Sequence, residues 1–177
     1  MTDAKEYGKA LFMLAEEDGR ADEVLFQCRF ILDSLNESPS YIKLLDTPSL
    51  TKDERLALID EAFSSLDEIT VNLVKILAER HMAYLLPSAI AGYEAEYELA
   101  RGIERAEVIS AVPLTEEQCE KIKLRLEEET GKTIIIKNTV DKAILGGIKL
   151  RYAGKQLDGS VKTRLDRFEK SLKNILI

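Results

Sequence analysis

A chain of 177 residues, 45% hydrophobic and 32% charged, has room for one large domain or two small ones of ordinary soluble composition. No run of 18 apolar residues is present, which excludes a helix long enough to span a bilayer, and the charged start MTDAKEYGKAL has neither the apolar stretch of a signal peptide nor the Arg-rich bias of a transit sequence; a cytoplasmic protein is expected. The net charge of −7 is uneven: residues 1–104 carry 10 Lys+Arg against 21 Asp+Glu, residues 105–177 carry 15 against 11, and the two parts are expected to meet different partners.

The first helix is expected over Asp3 to Glu17, with Ala4, Tyr7, Leu11, Leu14 and Ala15 on one face and Ala10 and Phe12 widening it to an arc of roughly 200°. Gly8 inside that face costs about 1 kcal/mol against Ala, which a close approach by another backbone would offset. Gly19 closes this helix. Asp22 and Glu23 open a second, with Val24, Leu25, Cys28, Ile31, Leu32 and Leu35 at helical spacing. A short helix runs from Ser38-Pro39-Ser40 to Leu45 and stops before Pro48. Thr51-Lys52-Asp53-Glu54 is a capping box for the next, through Phe63.

Asp67 to Met82 is the widest of the amphipathic stretches. Ile69, Leu73, Ile76 and Leu77 share one side, Val71, Val74 and Ala78 continue around the back, and only Asn72, Lys75 and Glu79 form a polar stripe. The apolar arc is roughly 220°, about twice what one neighbour covers. Either the chain surrounds this helix completely or a partner lies against it. A sixth helix follows from about Tyr84 to Arg101, which makes residues 1–104 an all-helical domain.

After Gly102 the pattern changes. Ala106 to Val112 alternates as a half-buried strand, and Thr115-Glu116-Glu117-Gln118 caps a helix running to Gly131, with Cys119, Ile122, Leu126 and Leu124 as inward candidates. Thr133 to Ile136 and Ile148 to Tyr152 read as strands, Ala153-Gly154-Lys155 as a turn, and Asp158-Gly159-Ser160 as a turn and N-cap for a last helix, Val161 to Leu176. The expected fold is mainly α, a six-helix N-terminal bundle followed by a small α+β C-terminal domain over residues 105–177.

No catalytic residue is assigned. His81 stands alone at a helix end without a nucleophile beside it, and no cluster of metal ligands exists. Gly146-Gly147 lacks the Lys-Ser/Thr of a P-loop and the spacing of a dinucleotide site, so it reads as a turn needing positive φ. Cys28 and Cys119 lie in differently patterned regions and read as small hydrophobes. The basic residues Lys149, Arg151, Lys155, Lys162, Arg164, Arg167, Lys170 and Lys173 make a nucleic-acid-binding module the alternative reading. Asp158, Asp166 and Glu169 interrupt that run, and stacking aromatics are scarce.

Three motifs carry a family likeness. Val140-Asp141-Lys142-Ala143-Ile144-Leu145-Gly146-Gly147-Ile148, then Leu157-Asp158-Gly159-Ser160-Val161 and Arg164-Leu165, resembles the C-terminal signature of the F-type ATP synthase delta subunits, relatives of the mitochondrial oligomycin-sensitivity-conferring protein. Tyr7-Gly8-Lys9-Ala10-Leu11-Phe12 is similar to that family's opening Tyr-Ala-x-Ala-Leu, with Gly8 where Ala is usual. Ala78-Glu79-Arg80-His81 with Leu85-Leu86-Pro87 is similar to its junction between the fifth and sixth helices.

The resemblance implies a non-catalytic stator subunit without cofactor or metal. It would link the catalytic head to the peripheral stalk on the cytoplasmic face of a bacterial membrane and touch that membrane only through the complex. It implies that residues 1–104 bind the alpha-subunit N-terminal helix in a groove between the first and fifth helices, and that residues 105–177 bind the b subunits; nucleic acid is not among the implied partners. Tyr7, Leu11, Phe12, Leu73, Val74 and Leu77 are then expected to line or support the groove, with His81 near one end. Those are the two helices with surplus apolar arc, where helix-in-groove recognition is the physics to expect.

Overall fold

Thr51 and Thr115 each open a helix by the same reciprocal pair of bonds: the threonine hydroxyl accepts from the backbone of Glu54 or Gln118, and that residue's side chain accepts from the threonine N–H. Around such local rules the computed structural model, which describes residues 4–144 and 146–159, is mainly helical with a small four-stranded mixed sheet. The chain divides into two compact units, Met1–Ala100 and Arg101–Ile177. The expected helix Val161 to Leu176 and its cap residue Ser160 lie outside the described residues.

The first unit comprises α1 (Ala4–Glu17), α2 (Ala21–Glu37), α3 (Pro39–Leu45), α4 (Lys52–Ala62), α5 (Glu68–Glu79), a 3-10 turn (Ala83–Leu85) and α6 (Leu86–Ala100). Val24, Ile31, Leu45, Ile59, Leu77, Ile90 and Tyr93 fill its core. Cys28 is buried among them, and burial pushes its thiol up to about 12, so it stays protonated as a packing residue.

Two element ends depart from the sequence reading. The fifth helix stops at Glu79, because His81 takes φ 55 and the chain closes with Met82 N–H on Leu77 O (2.8 Å) and His81 N–H on Ala78 O (3.0 Å), a Schellman stop that needs a left-handed residue. The sixth begins at Leu86 instead of Tyr84. The Asp46 carboxylate accepts from the N–H groups of Ala83 (2.8 Å) and Tyr84 (3.0 Å), holding residues 83–85 as a separate tight turn.

Gly8 and Gly92 bring α1 and α6 into backbone contact. A methyl group built on Gly8 would lie 1.8 Å from Ala89 O and 2.5 Å from Tyr93 N, and one on Gly92 would lie 2.5 Å from Lys5 O. The close approach anticipated at Gly8 is therefore made by α6.

Polar ties hold the other helices. Arg55 is buried, donating from Nε to Leu45 O (2.7 Å) and from Nη2 to Thr47 O (3.1 Å) and Leu50 O (3.2 Å), which satisfies carbonyls that α3 and its loop leave open. Asp67 accepts from Gln27 Nε2 (2.7 Å), returns its N–H to Gln27 Oε1 (3.0 Å) and pairs with Arg20. The Arg20 guanidinium holds the Asp67 carboxyl below its ordinary range.

Among the described residues, Thr70 on α5 holds the one fully buried side-chain polar atom without a hydrogen-bond partner. Thr70→Val keeps the shape and removes the desolvated hydroxyl, so it is expected to raise the unfolding free energy by about 1 kcal/mol. Chemical denaturation of the two proteins measures this, and equal or lower stability of the valine form would contradict it.

The second unit contains β1 (Ile103–Ser110), α7 (Glu116–Thr130), β2 (Thr133–Val140), β3 (Ile148–Tyr152) and β4 (Lys155–Asp158), with strand order β2-β1-β3-β4. β1 pairs parallel with β2, from Ile103↔Thr133 to Ser110↔Val140, across the α7 crossover; β3 runs antiparallel to both β1 and β4. Ala106, Val108, Ile134, Leu150 and Tyr152 pack with Leu126. Of the inward candidates on α7, Leu126 is buried, Cys119 and Ile122 are half-buried, and Leu124 is exposed.

The sheet is larger than the sequence suggests. β1 begins at Ile103 and β2 runs on to Val140, because pairing carries both strands past their apolar runs. A fourth strand, β4, which the sequence did not suggest, fills Lys155–Asp158 and ends where the turn at Asp158-Gly159-Ser160 is expected. Ala153 (φ 48) and Gly154 (φ 70) form a two-residue hairpin that turns Lys155–Asp158 back onto β3, where Asp158 faces Lys149 at 3.7 Å. Gly159 donates its N–H to Ile148 O (3.0 Å) beside that edge. Gly146 and Gly147 lead into β3, Gly147 at φ 81.

Candidate functional site: a cleft between the first and fifth helices

α5 is buried on most of its circumference through Thr70, Val71, Leu73, Val74, Leu77 and Ala78. Ile76 nevertheless stands 44% exposed, and Leu14 on α1 stands 53% exposed. These two leucine-sized side chains stand over a surface cleft of about 270 Å³, lined by Tyr7, Ala10, Leu11 and Leu14 from α1 and by Ile69, Asn72, Leu73 and Ile76 from α5. The two quartets share the spacing i, i+3, i+4, i+7, so each is one helical stripe.

The residues named from sequence separate into two layers. Tyr7, Leu11 and Leu73 line the cleft. Val74 and Leu77 are fully buried in the core behind it. Phe12 points to α6, edge-on to Tyr93 at 5.6 Å and to Tyr97 at 6.5 Å between ring centroids. His81 follows α5, its Nδ1 3.4 Å from the buried Arg55 Nη2, outside the lining. Gly8 faces α6 and lies outside the lining of the cleft.

Ala10, Leu14, Ile69, Asn72 and Ile76 complete the lining without having been singled out. The signal for Ala10, Leu14, Ile69 and Ile76 lay in the matching spacing on the outer edges of the two wide arcs, whereas Asn72 belongs to the polar stripe beside them.

One end of the cleft is fixed by Arg80, which donates from Nη1 to the Tyr7 hydroxyl (2.9 Å) while its guanidinium carbon lies 6.0 Å from the centre of the Tyr7 ring. Because Tyr7 meets the residue that follows α5, α1 and α5 run in opposite directions and Leu14 lies toward Ile69. The polar groups of the lining are the Asn72 amide and the Tyr7 hydroxyl; the rest is hydrocarbon. Such a surface can bind an apolar stripe by burial and orient it with one or two hydrogen bonds. It presents no pair of groups for acid–base or nucleophilic chemistry.

Among the described residues no three metal-ligating side chains come together, and no helix is long and apolar enough to cross a membrane. Of the basic residues that suggested a nucleic-acid surface, the three within the described chain, Lys149, Arg151 and Lys155, are engaged locally. Arg151 reaches Glu107 (3.4 Å) and Gln156 (3.2 Å), Lys149 reaches Asp158, and Lys155 lies over the Tyr152 ring.

A mainly helical chain with an apolar cleft between two helices is equipped to hold another protein. Comparison with known proteins specifies which kind: residues 4–172 match the family model described as ATP synthase delta (OSCP) subunit, and the chain belongs to that family. It is 34% identical over 172 residues to the ATP synthase subunit delta of Alkalihalophilus pseudofirmus, with 96% of this chain and 94% of the relative covered. With that of a Geobacillus species it shares 32% over 170 residues, with 96% of each covered. A chain in the cryo-EM structure of the Toxoplasma gondii mitochondrial ATP synthase hexamer has the same fold, at a TM-score of 0.69 and 22% identity over 97% of this chain and 98% of that one. The family's members are non-catalytic components of the ATP synthase peripheral stalk, and nothing in these relatives supports a nucleic-acid-binding module.

Proposed function

We propose that α1–α6 form a helical bundle that receives the N-terminal helix of the ATP synthase alpha subunit in the α1–α5 cleft, and that residues 105–177 engage the b subunits of the peripheral stalk. On this reading the protein sits at the cytoplasmic face of a bacterial membrane, is held there only through the complex, and needs no cofactor. The observation that carries it is the exposed apolar lining: Leu14 and Ile76 stand in water on helices that each bury another face in the core, at the spacing an amphipathic helix would match.

The task is mechanical. The head must not turn with the rotor, so two contacts in series must hold while torque is applied. Burying four or five apolar side chains in the cleft yields on the order of 6–15 kcal/mol gross, against an association cost of about 4–15 kcal/mol. A single helix peptide is therefore expected to bind modestly. Strength in the assembly comes from several such contacts held at high effective concentration.

Calorimetric titration of the full chain with a peptide of the cognate alpha-subunit N-terminus tests the proposal. Saturable one-to-one binding is expected, absent with a scrambled peptide. No binding to folded protein would overturn the cleft as the alpha site.

A further inference from the structure

The two ends of the cleft differ in charge. At the Leu14–Ile69 end, Glu17 and Asp18 follow Leu14 by three and four residues, so both continue the α1 stripe by one turn. The Asp18 N–H bonds Leu14 O at 3.1 Å, keeping that turn helical. Glu68 precedes Asn72 by four on α5, and all three carboxylates are exposed. Arg20, the cation that follows Asp18 by two residues, is already engaged with Asp67 and Glu23.

At the Tyr7 end the stripe terminates in Arg80, four residues after Ile76, with Glu6 on the flank. Lys9 and Lys75 are drawn away, to Glu96 on α6 (3.3 Å) and Asp60 on α4 (2.5 Å), and Glu79 is paired with Lys52 (3.2 Å). Among the described residues, one mouth of the apolar cleft thus carries three negative charges, and the other is close to neutral.

We infer that the cleft is polar in direction: its occupant is an amphipathic helix with a basic end, laid so that this end sits between Glu17, Asp18 and Glu68 while its apolar stripe fills the space from Leu14 to Tyr7. The inference rests on the proposed binding of the alpha-subunit helix and adds its chemistry and orientation. A helix entering the other way round would bring its basic end to Arg80 and leave the three carboxylates uncompensated. Charge therefore selects between two directions that the apolar lining alone would accept almost equally.

The test uses the full chain, the cognate alpha-subunit N-terminal peptide, and the triple variant Glu17→Gln, Asp18→Asn, Glu68→Gln. At low ionic strength the triple variant is expected to bind about tenfold more weakly than the parent, from three exposed pairs. The gap should close to within about twofold at roughly 0.5 M salt. A peptide whose basic residues are changed to glutamine should bind parent and triple variant alike. A photoreactive group on the peptide's basic end should cross-link near Leu14 and Ile69. Equal affinity of parent and triple variant at low salt, or cross-links confined to the Tyr7 end, would overturn the polarity while leaving the cleft as the binding site. Failure of the parent to bind the peptide would overturn both.

Discussion

Gly8→Ala is expected to destabilise the protein by about 2–3 kcal/mol, although the same exchange at a solvent-exposed helix position would stabilise it by about 1 kcal/mol. The added methyl would sit 1.8 Å from Ala89 O and 2.5 Å from Tyr93 N. Both obstacles are backbone of α6, which no rotamer change can move aside. Relief requires α1 and α6 to separate, and that loosens Phe12 from Tyr93 and Tyr97. Gly92→Ala meets Lys5 backbone in the same crossing and should behave alike. Equilibrium denaturation of the two variants decides the matter; a Gly8→Ala protein as stable as the parent would mean that the helices can part at no cost.

Ile76→Asp is expected to weaken binding of the alpha-subunit peptide at least about 30-fold, or roughly 2 kcal/mol, with a loss of stability below about 1 kcal/mol. Ile76 lines the cleft and is already 44% exposed, so its carboxylate stays hydrated in the free protein and becomes desolvated only when an apolar stripe closes over it. Leu77→Asp, one residue further on, is the contrasting case. Leu77 is fully buried, and a charge there attacks the core, costing several kcal/mol and losing binding through unfolding. Calorimetry and thermal melts on both variants separate the two effects. Unchanged affinity of folded Ile76→Asp would place the alpha helix elsewhere.

Those adjacent residues mark where sequence reading reaches its limit. Local grammar is legible because it is written within four residues: the boxes Thr51–Glu54 and Thr115–Gln118 form as their spacing requires. The surplus apolar arc of α5 was legible too. Which neighbour covers which part of the arc is a tertiary fact, and periodicity assigns Ile76 and Leu77 to the same side although one faces solvent and the other the core.

The same limit hid β4, whose single apolar residue Leu157 gives no strand signal until Leu150 lies opposite it. It hid the burial of Arg55, a charged residue placed inside by carbonyls five to ten positions away. It also hid the left-handed turn at His81, where no glycine announces the helix stop.

The α1–α6 crossing joins the first helix of the unit to its last, and this has a consequence in time. Gly92 is synthesised 84 residues after Gly8. At about 5–20 residues per second, a ribosome leaves α1 without its partner for roughly 4–17 s. During that interval Leu11, Phe12 and Ala15 have no lasting cover, and α2 to α5 must collapse around a place kept for a helix already made. The segment that anchors the finished unit is the first to be exposed to chaperones and the last to be secured.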